Sequence, residues 1–142
     1  MVRKNLTPSH FLNRELGLLE FNRRVLAQAA DDAVPLLERL RFLTIVSSNL
    51  DEFFEIRVAG LKEQIKIGLS RAGADGRSPS EVFELVSARA RELIGEQYRL
   101  LNGVLLPALA KQGVIFPKRE DWSEPQKAWI RDYFMRELLP VL

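Results

Sequence analysis

The sequence predicts an all-α fold: an antiparallel bundle of three to four helices, followed by a short strand and a helix that begin a second, truncated domain. Three observations carry this reading. Apolar residues recur at three- and four-residue spacing over long segments, the period of a helix buried along one face. Helix-start signals stand where those segments begin, at Asn13, Pro35 and Ser78-Pro79. Strand character is confined to Val114-Ile115-Phe116-Pro117. The expected division is a complete helical module over 1–112 and the opening of a second domain over 113–142.

Leu12, Leu16, Leu19 and Leu26 form the first stripe, widened by Leu18, Phe21 and Val25. Asn13 is placed to cap this helix, and Glu15 in its first turn suits the helix dipole. Asp31-Asp32-Ala33-Val34-Pro35 ends it, and Pro35 opens a second helix carrying Leu36, Leu37, Leu40, Phe42, Leu43 and Ile45. Ser47-Ser48-Asn49 then interrupts the apolar run with residues favoured at N-caps. Leu50, Phe54, Val58, Leu61 and Ile65 make the stripe of a further helix ending near Ile67 or Gly68. Gly68 to Ser80 has little to bury and reads as a loop.

Ser78 or Ser80 caps the next helix, whose seams are Val82, Val86, Leu93, Leu100, Val104 and Phe83, Ala90, Ile94, Leu101, Leu105. A helix of that length is about 50 Å long at 1.5 Å per residue. Gly95, Gly103 and Pro107 predict a bend toward its end, and Gly113 a stop. A last helix runs from Ser123 to Leu139, with Trp129, Ile130, Phe134 and Leu138 on one face. Pro140 halts it, and the apolar ending through Leu142 reads as the start of a new strand in a domain cut short.

The 142 residues carry 21 Lys plus Arg against 19 Asp plus Glu, a formal charge of +2, with 46% hydrophobic and 28% charged residues. That is the composition of a soluble globular domain, and it excludes wholesale disorder and a fibre. An excess of +2 does not argue for a nucleic-acid or membrane partner. The absence of cysteine excludes disulfides, Cys-ligated zinc, iron–sulfur clusters and thiol nucleophiles. The longest uncharged stretch, Leu100 to Ala110, has eleven residues, whereas a membrane span needs about 20. The expected location is the cytoplasm, peripheral to a membrane at most.

Candidate chemistry is sparse. His10 is the single histidine and sits in a polar N-terminal stretch. No Walker-type loop, G-x-G-x-x-G, H-E-x-x-H or G-x-S-x-G is present. Asp31/Asp32 and Asp51/Glu52 are adjacent pairs, which do not face one another on a helix and so make no acid/base couple. No catalytic residue and no metal ligand is assigned. Asn49 has two readings. With Glu52 three residues on, it forms a capping-box-like pair. Alternatively its carboxamide, a donor beside an acceptor, meets the edge of an adenine. Arg23, Arg24, Arg39, Arg41 and Arg57 would bind a polyanion if the fold gathered them. Phe53, Phe54, Phe83, Trp129 and Phe134 are read as core.

Asn13-Arg14-Glu15-Leu16, Leu19-Glu20-Phe21-Asn22-Arg23-Arg24-Val25-Leu26 and Pro35-Leu36-Leu37-Glu38-Arg39-Leu40-Arg41-Phe42-Leu43 resemble the N-terminal signature of the long bacterial polyphosphate kinases. Ser47-Ser48-Asn49-Leu50-Asp51-Glu52-Phe53-Phe54 and Arg57-Val58-Ala59-Gly60-Leu61-Lys62 continue it. A departure occurs at Gly17-Leu18, where the family usually carries Ser-Trp. The resemblance implies a parent enzyme that transfers the γ-phosphate of ATP reversibly to inorganic polyphosphate, with magnesium and a phosphohistidine intermediate. That makes the parent a phosphoprotein, a cytoplasmic homo-oligomer when full-length, without a nucleic-acid partner. The catalytic histidines and metal ligands belong to domains downstream of this one, and His10 matches none of them. The family's nucleotide-contacting asparagine corresponds to Asn49. The chain alone is therefore expected to be inactive and to close over the base side of the nucleotide. Two alternatives stand beside this: a free-standing helical protein-interaction module, and a polyanion or RNA binder.

Overall fold

The computed structural model describes residues 6–142, and the chain divides after Ala108 into two compact units. In the first unit, α1 (Arg14–Ala30) begins at Asn13, whose Oδ1 accepts from the Leu16 N–H at 3.0 Å. The Asn13 Nδ2 donates to Asp75 Oδ2 at 3.0 Å, which ties the 69–78 connection to the start of α1. Helix α2 (Leu36–Glu52) starts after Pro35. It passes without a break through a π-helical turn (Phe53–Val58) into α3 (Ala59–Lys66).

Helix α4 (Pro79–Leu100) starts on a complete capping box between Ser78 and Glu81. A second π-helical turn (Leu101–Leu105) follows it, where Gly103 predicted a bend, and then α5 (Leu106–Lys111). The latter ends at Gly113, whose φ of +83° glycine adopts without strain.

Helix α1 packs on α2 and α4, and α3 packs on α4. The core joins Leu19, Leu26 and Ala29 of α1, Leu43, Val46 and Leu50 of α2, and Val82, Val86, Ala90 and Leu93 of α4. Phe53, Val58, Leu61 and Leu105 complete it. Fully burying a side chain of the Leu or Val class contributes about 1.5–3 kcal/mol, so these stripes hold the first unit together.

The polar residues among them are specific. Asn22, Arg39 and Gln97 are 3%, 7% and 6% exposed. Gln97 Nε2 bridges to the Leu43 carbonyl and the Ser47 hydroxyl. Arg39 reaches back from α2, its Nε donating to the Ala29 carbonyl at 2.8 Å and its guanidinium to Asp32 at 2.6 Å. It thereby satisfies a carbonyl that the end of α1 leaves free.

The second unit, 109–142, contains α6 (Glu124–Tyr133), capped by Ser123 and Gln126. A π-helical turn (Phe134–Leu138) and a 3₁₀ turn (Leu139–Val141) follow. Among the described residues none from 110 to 142 is buried.

Four expectations change. Val114–Pro117 is irregular, and among the described residues there is no strand, because an extended segment needs a neighbouring strand to pair its backbone groups. For the same reason the apolar ending is a 3₁₀ turn and no strand begins there. Ser47-Ser48-Asn49 does not interrupt the helix: the turns on either side supply the backbone hydrogen bonds, and tertiary packing overrides the local preference for a cap. Trp129, Phe134 and Phe54 are not core, being 65%, 41% and 39% exposed, while Phe53 is buried as expected.

Candidate functional site

The one-turn repeat of a helix puts Leu18, Phe21 and Asn22 on one side of α1, and Asn49, Glu52, Phe53, Ile56 and Arg57 on one side of α2 and its π-helical continuation. The two sides enclose a pocket of about 250 Å³. Leu18 is the smaller residue at the departure noted above. Phe21 and Ile56 are 50% and 57% exposed, so the pocket offers apolar faces to solvent. Glu52 and Arg57 put a carboxylate and a guanidinium on its wall, and Arg57 has no ion pair among the described residues.

Asn49 lies on this wall as part of the helix interior and caps nothing. The N–H groups that a cap would serve are engaged in the continuing helix; that of Phe53 bonds the Asn49 and Leu50 carbonyls. The Asn49 side chain instead donates through Nδ2 to Asn22 Oδ1 at 2.8 Å. Asn22 in turn donates through its own Nδ2 to the Leu18 carbonyl at 3.1 Å. Among the described residues no donor engages Asn49 Oδ1. The carboxamide therefore turns an acceptor and a remaining N–H away from Asn22, a pair suited to a heteroaromatic edge.

Apart from Glu52 and Arg57, the other candidates lie outside the lining of this pocket. His10 is exposed, its Nδ1 within 2.8 Å of the Thr7 hydroxyl. Asp31 accepts from the Ala33 N–H in the turn after α1, and Asp32 holds Arg39. Asp51 is exposed and does not line the pocket, unlike its neighbour Glu52. The five arginines differ in what engages them. Arg39 is buried at the end of α1, and Arg23 lies 3.6–3.7 Å from Glu20, Glu92 and Glu96. Arg41 pairs with Glu38, and Arg24 stands 5.9 Å over the Phe21 ring. Arg23, Arg39 and Arg41 are thus engaged by carboxylates, whereas Arg24 and Arg57 have no ion pair among the described residues. Among the described residues no group of three or more His, Cys, Asp or Glu could hold a metal ion. No helix there is long and apolar enough to cross a membrane.

Sequence reasoning missed Asn22, Phe21 and Ile56. A signal for Asn22 exists: it falls between Leu19 and Leu26 in the buried stripe of α1, where a carboxamide requires a partner. Arg39 and Gln97 interrupt the stripes of α2 and α4 in the same way.

Residues 11–116 match the family described as polyphosphate kinase N-terminal domain. Over 134 residues the chain is 58% identical to a polyphosphate kinase of Neisseria meningitidis serogroup B, covering 94% of this chain and 20% of that protein. It is 56% identical over 131 residues to one of Paraburkholderia phytofirmans, covering 92% and 19%. The crystal structure of a polyphosphate kinase from Porphyromonas gingivalis is similar with a TM-score of 0.67 and 30% identity, over 92% of this chain and 18% of that one. The chain thus spans about one fifth of the length of these curated relatives.

Proposed function

The chain belongs to the polyphosphate kinase family as its N-terminal domain, and from that premise we propose that it forms the base-facing wall of the nucleotide site in an ATP:polyphosphate phosphotransferase. The observation that carries this is Asn49. Freed from any capping role, its carboxamide is held against α1 with Oδ1 turned from Asn22. It accepts from the adenine amino group, and its second N–H donates to a ring nitrogen.

The pocket size favours a partial role. Sites that enclose a whole drug-sized ligand measure about 300–1,000 Å³, whereas this one is about 250 Å³ and open. It suits a purine base against Phe21, with Arg57 near the ribose. The acidic Glu52 makes the rim a poor seat for the phosphates.

Phosphoryl transfer of this kind needs a nucleophile and cations around the phosphates. His10 is exposed and does not line the pocket, so those groups come from the rest of the enzyme. In the same reading, the magnesium that accompanies ATP is held by residues of the downstream domains. Within the same reading, 1–112 is the helical N-terminal domain and 113–142 the beginning of the head domain. The bare apolar residues Trp129, Met135 and Val141 are then covered by the remainder of the protein. The complete enzyme works on ATP and polyphosphate in the cytoplasm as a homo-oligomer.

The test is an NMR titration of ATP into this chain. Amide and side-chain signals from Ser47 to Phe54 shift with ATP and do not shift in Asn49→Ala. Shifts that persist in Asn49→Ala contradict the reading, and signals unmoved at millimolar ATP mean that the wall binds only once the rest of the enzyme completes the site.

A further inference from the structure

We infer that Asn22 is a positioning residue that fixes the orientation of the Asn49 carboxamide and thereby sets the preference of the site for adenine over guanine nucleotides. The inference rests on the proposed contact between Asn49 and the base.

The Leu18 carbonyl can only accept, so the Asn22 side chain must turn its Nδ2 toward it, as it does at 3.1 Å. Asn22 Oδ1 is then fixed on the opposite side, facing α2, and it too can only accept. Asn49 must answer with Nδ2, at 2.8 Å. Asn22 is 3% exposed, so the Leu18 carbonyl and Asn49 are its principal partners. The amide orientation of Asn49 is therefore dictated by a backbone carbonyl two steps away.

Adenine and guanine differ in the hydrogen-bond sense of their edges. Adenine offers an amino donor beside a ring-nitrogen acceptor, whereas guanine offers the O6 acceptor in place of the amino group. A carboxamide free to flip pairs with either base. One locked with Oδ1 outward pairs with adenine and sets its oxygen against guanine O6. Selectivity thus arises from a residue that need not touch the nucleotide.

Two variants separate positioning from simple support of the fold. Asn22→Leu keeps the volume and removes the acceptor that holds Asn49. Asn22→Asp keeps that acceptor but places a carboxylate oxygen against the Leu18 carbonyl, so it is the less stable of the two. Steady-state kinetics with ATP and GTP are measured on the complete kinase that carries this domain, alongside the melting temperature of each variant.

Asn22→Leu is expected to raise KM for ATP and to lower the ATP/GTP ratio of kcat/KM about tenfold, with kcat for ATP changed by less than about twofold. Asn22→Asp is expected to retain the ratio despite its lower melting temperature. A purely structural role predicts the reverse order, with losses that follow stability. The inference is overturned if Asn22→Leu keeps the wild-type ratio while Asn49→Ala raises KM for ATP. If Asn49→Ala itself leaves KM unchanged, the underlying reading of Asn49 fails, and the inference with it. The lock alone is then still read from the Asn49 side-chain amide protons, whose exchange with water accelerates in Asn22→Leu if Asn22 holds them.

Discussion

Replacing Arg39 with Met tests the account of how α1 is closed, and the structure sets the size of the effect. Met preserves most of the buried aliphatic stem but removes the guanidinium. The Nε hydrogen bond to the Ala29 carbonyl, at 2.8 Å, is lost, and a hydrogen bond to a charged group contributes about 1.5–3 kcal/mol. The positive charge at the C-terminus of α1 adds about 0.3–1 kcal/mol. The pair with Asp32 adds little, because that carboxylate is 90% exposed and exposed pairs contribute at most about 1 kcal/mol. The total is about 2–4 kcal/mol. For a unit of this size, where 1 kcal/mol moves the melting temperature by about 4–8 °C, the expected fall is at least about 8 °C. Thermal unfolding followed by circular dichroism measures it, with Asp32→Ala as the control, expected to lose less than about 1 kcal/mol. An Arg39→Met variant no less stable than Asp32→Ala would refute the reasoning and return Arg39 to the pool of surface charges.

Three further outcomes follow from the same structure. Burial opposes the Asp75 carboxylate, but hydrogen bonds from Arg77 and Asn13, with the Arg77 charge, outweigh it and hold its pKa below the ordinary value. Hydrogen bonds from the Ser78 N–H and hydroxyl do the same for Glu81. A depressed folded pKa means stability that is full above the unfolded value near pH 4 and lost as pH falls through the folded one. The melting temperature should therefore drop below about pH 4, and Asp75→Asn should flatten part of that drop while lowering the plateau. Leu93→Ala, at a side chain 1% exposed in α4, should cost about 2–5 kcal/mol in urea unfolding. Gly60→Ala should stabilise by about 0.5–1 kcal/mol at unchanged m-value, because a Cβ there meets nothing within 4 Å and the residue lies inside α3.

What the sequence discloses and what it conceals divides along the range of the interactions. Asn13, Ser78 and Gly113 act on backbone within five residues of themselves, so their roles are readable from order alone. The stripes Leu19–Leu26 and Val82–Leu93 are equally local patterns, and they locate the core. Asn49 defeats the same reasoning. Its Asn-x-x-Glu spacing is a valid capping pattern, yet the helix runs through it because Ser47 is bonded by Gln97 and Asn49 bonds Asn22, fifty and twenty-seven residues away. Arg39 looked like any other helical arginine, and only the return of α2 past the end of α1 gives it carbonyls to serve. The strand expected at Val114 fails for a related reason: strands exist in pairs, and pairing is not a property of one segment. The pocket itself, built from two helices with Phe21 on one and Ile56 on the other, has no signature along the chain.

The central claim is that Asn49 meets the nucleotide base, and the most direct measurement is KM for ATP of Asn49→Ala in the complete kinase. The substitution leaves Asn22 Oδ1 without its donor, at about 1–3 kcal/mol, which a folded domain tolerates at 25 °C. The account predicts a rise in KM of about tenfold or more, from the loss of a bidentate base contact of about 1–3 kcal/mol, with kcat changed by less than about threefold. An unchanged KM, or a fall confined to kcat, would contradict it.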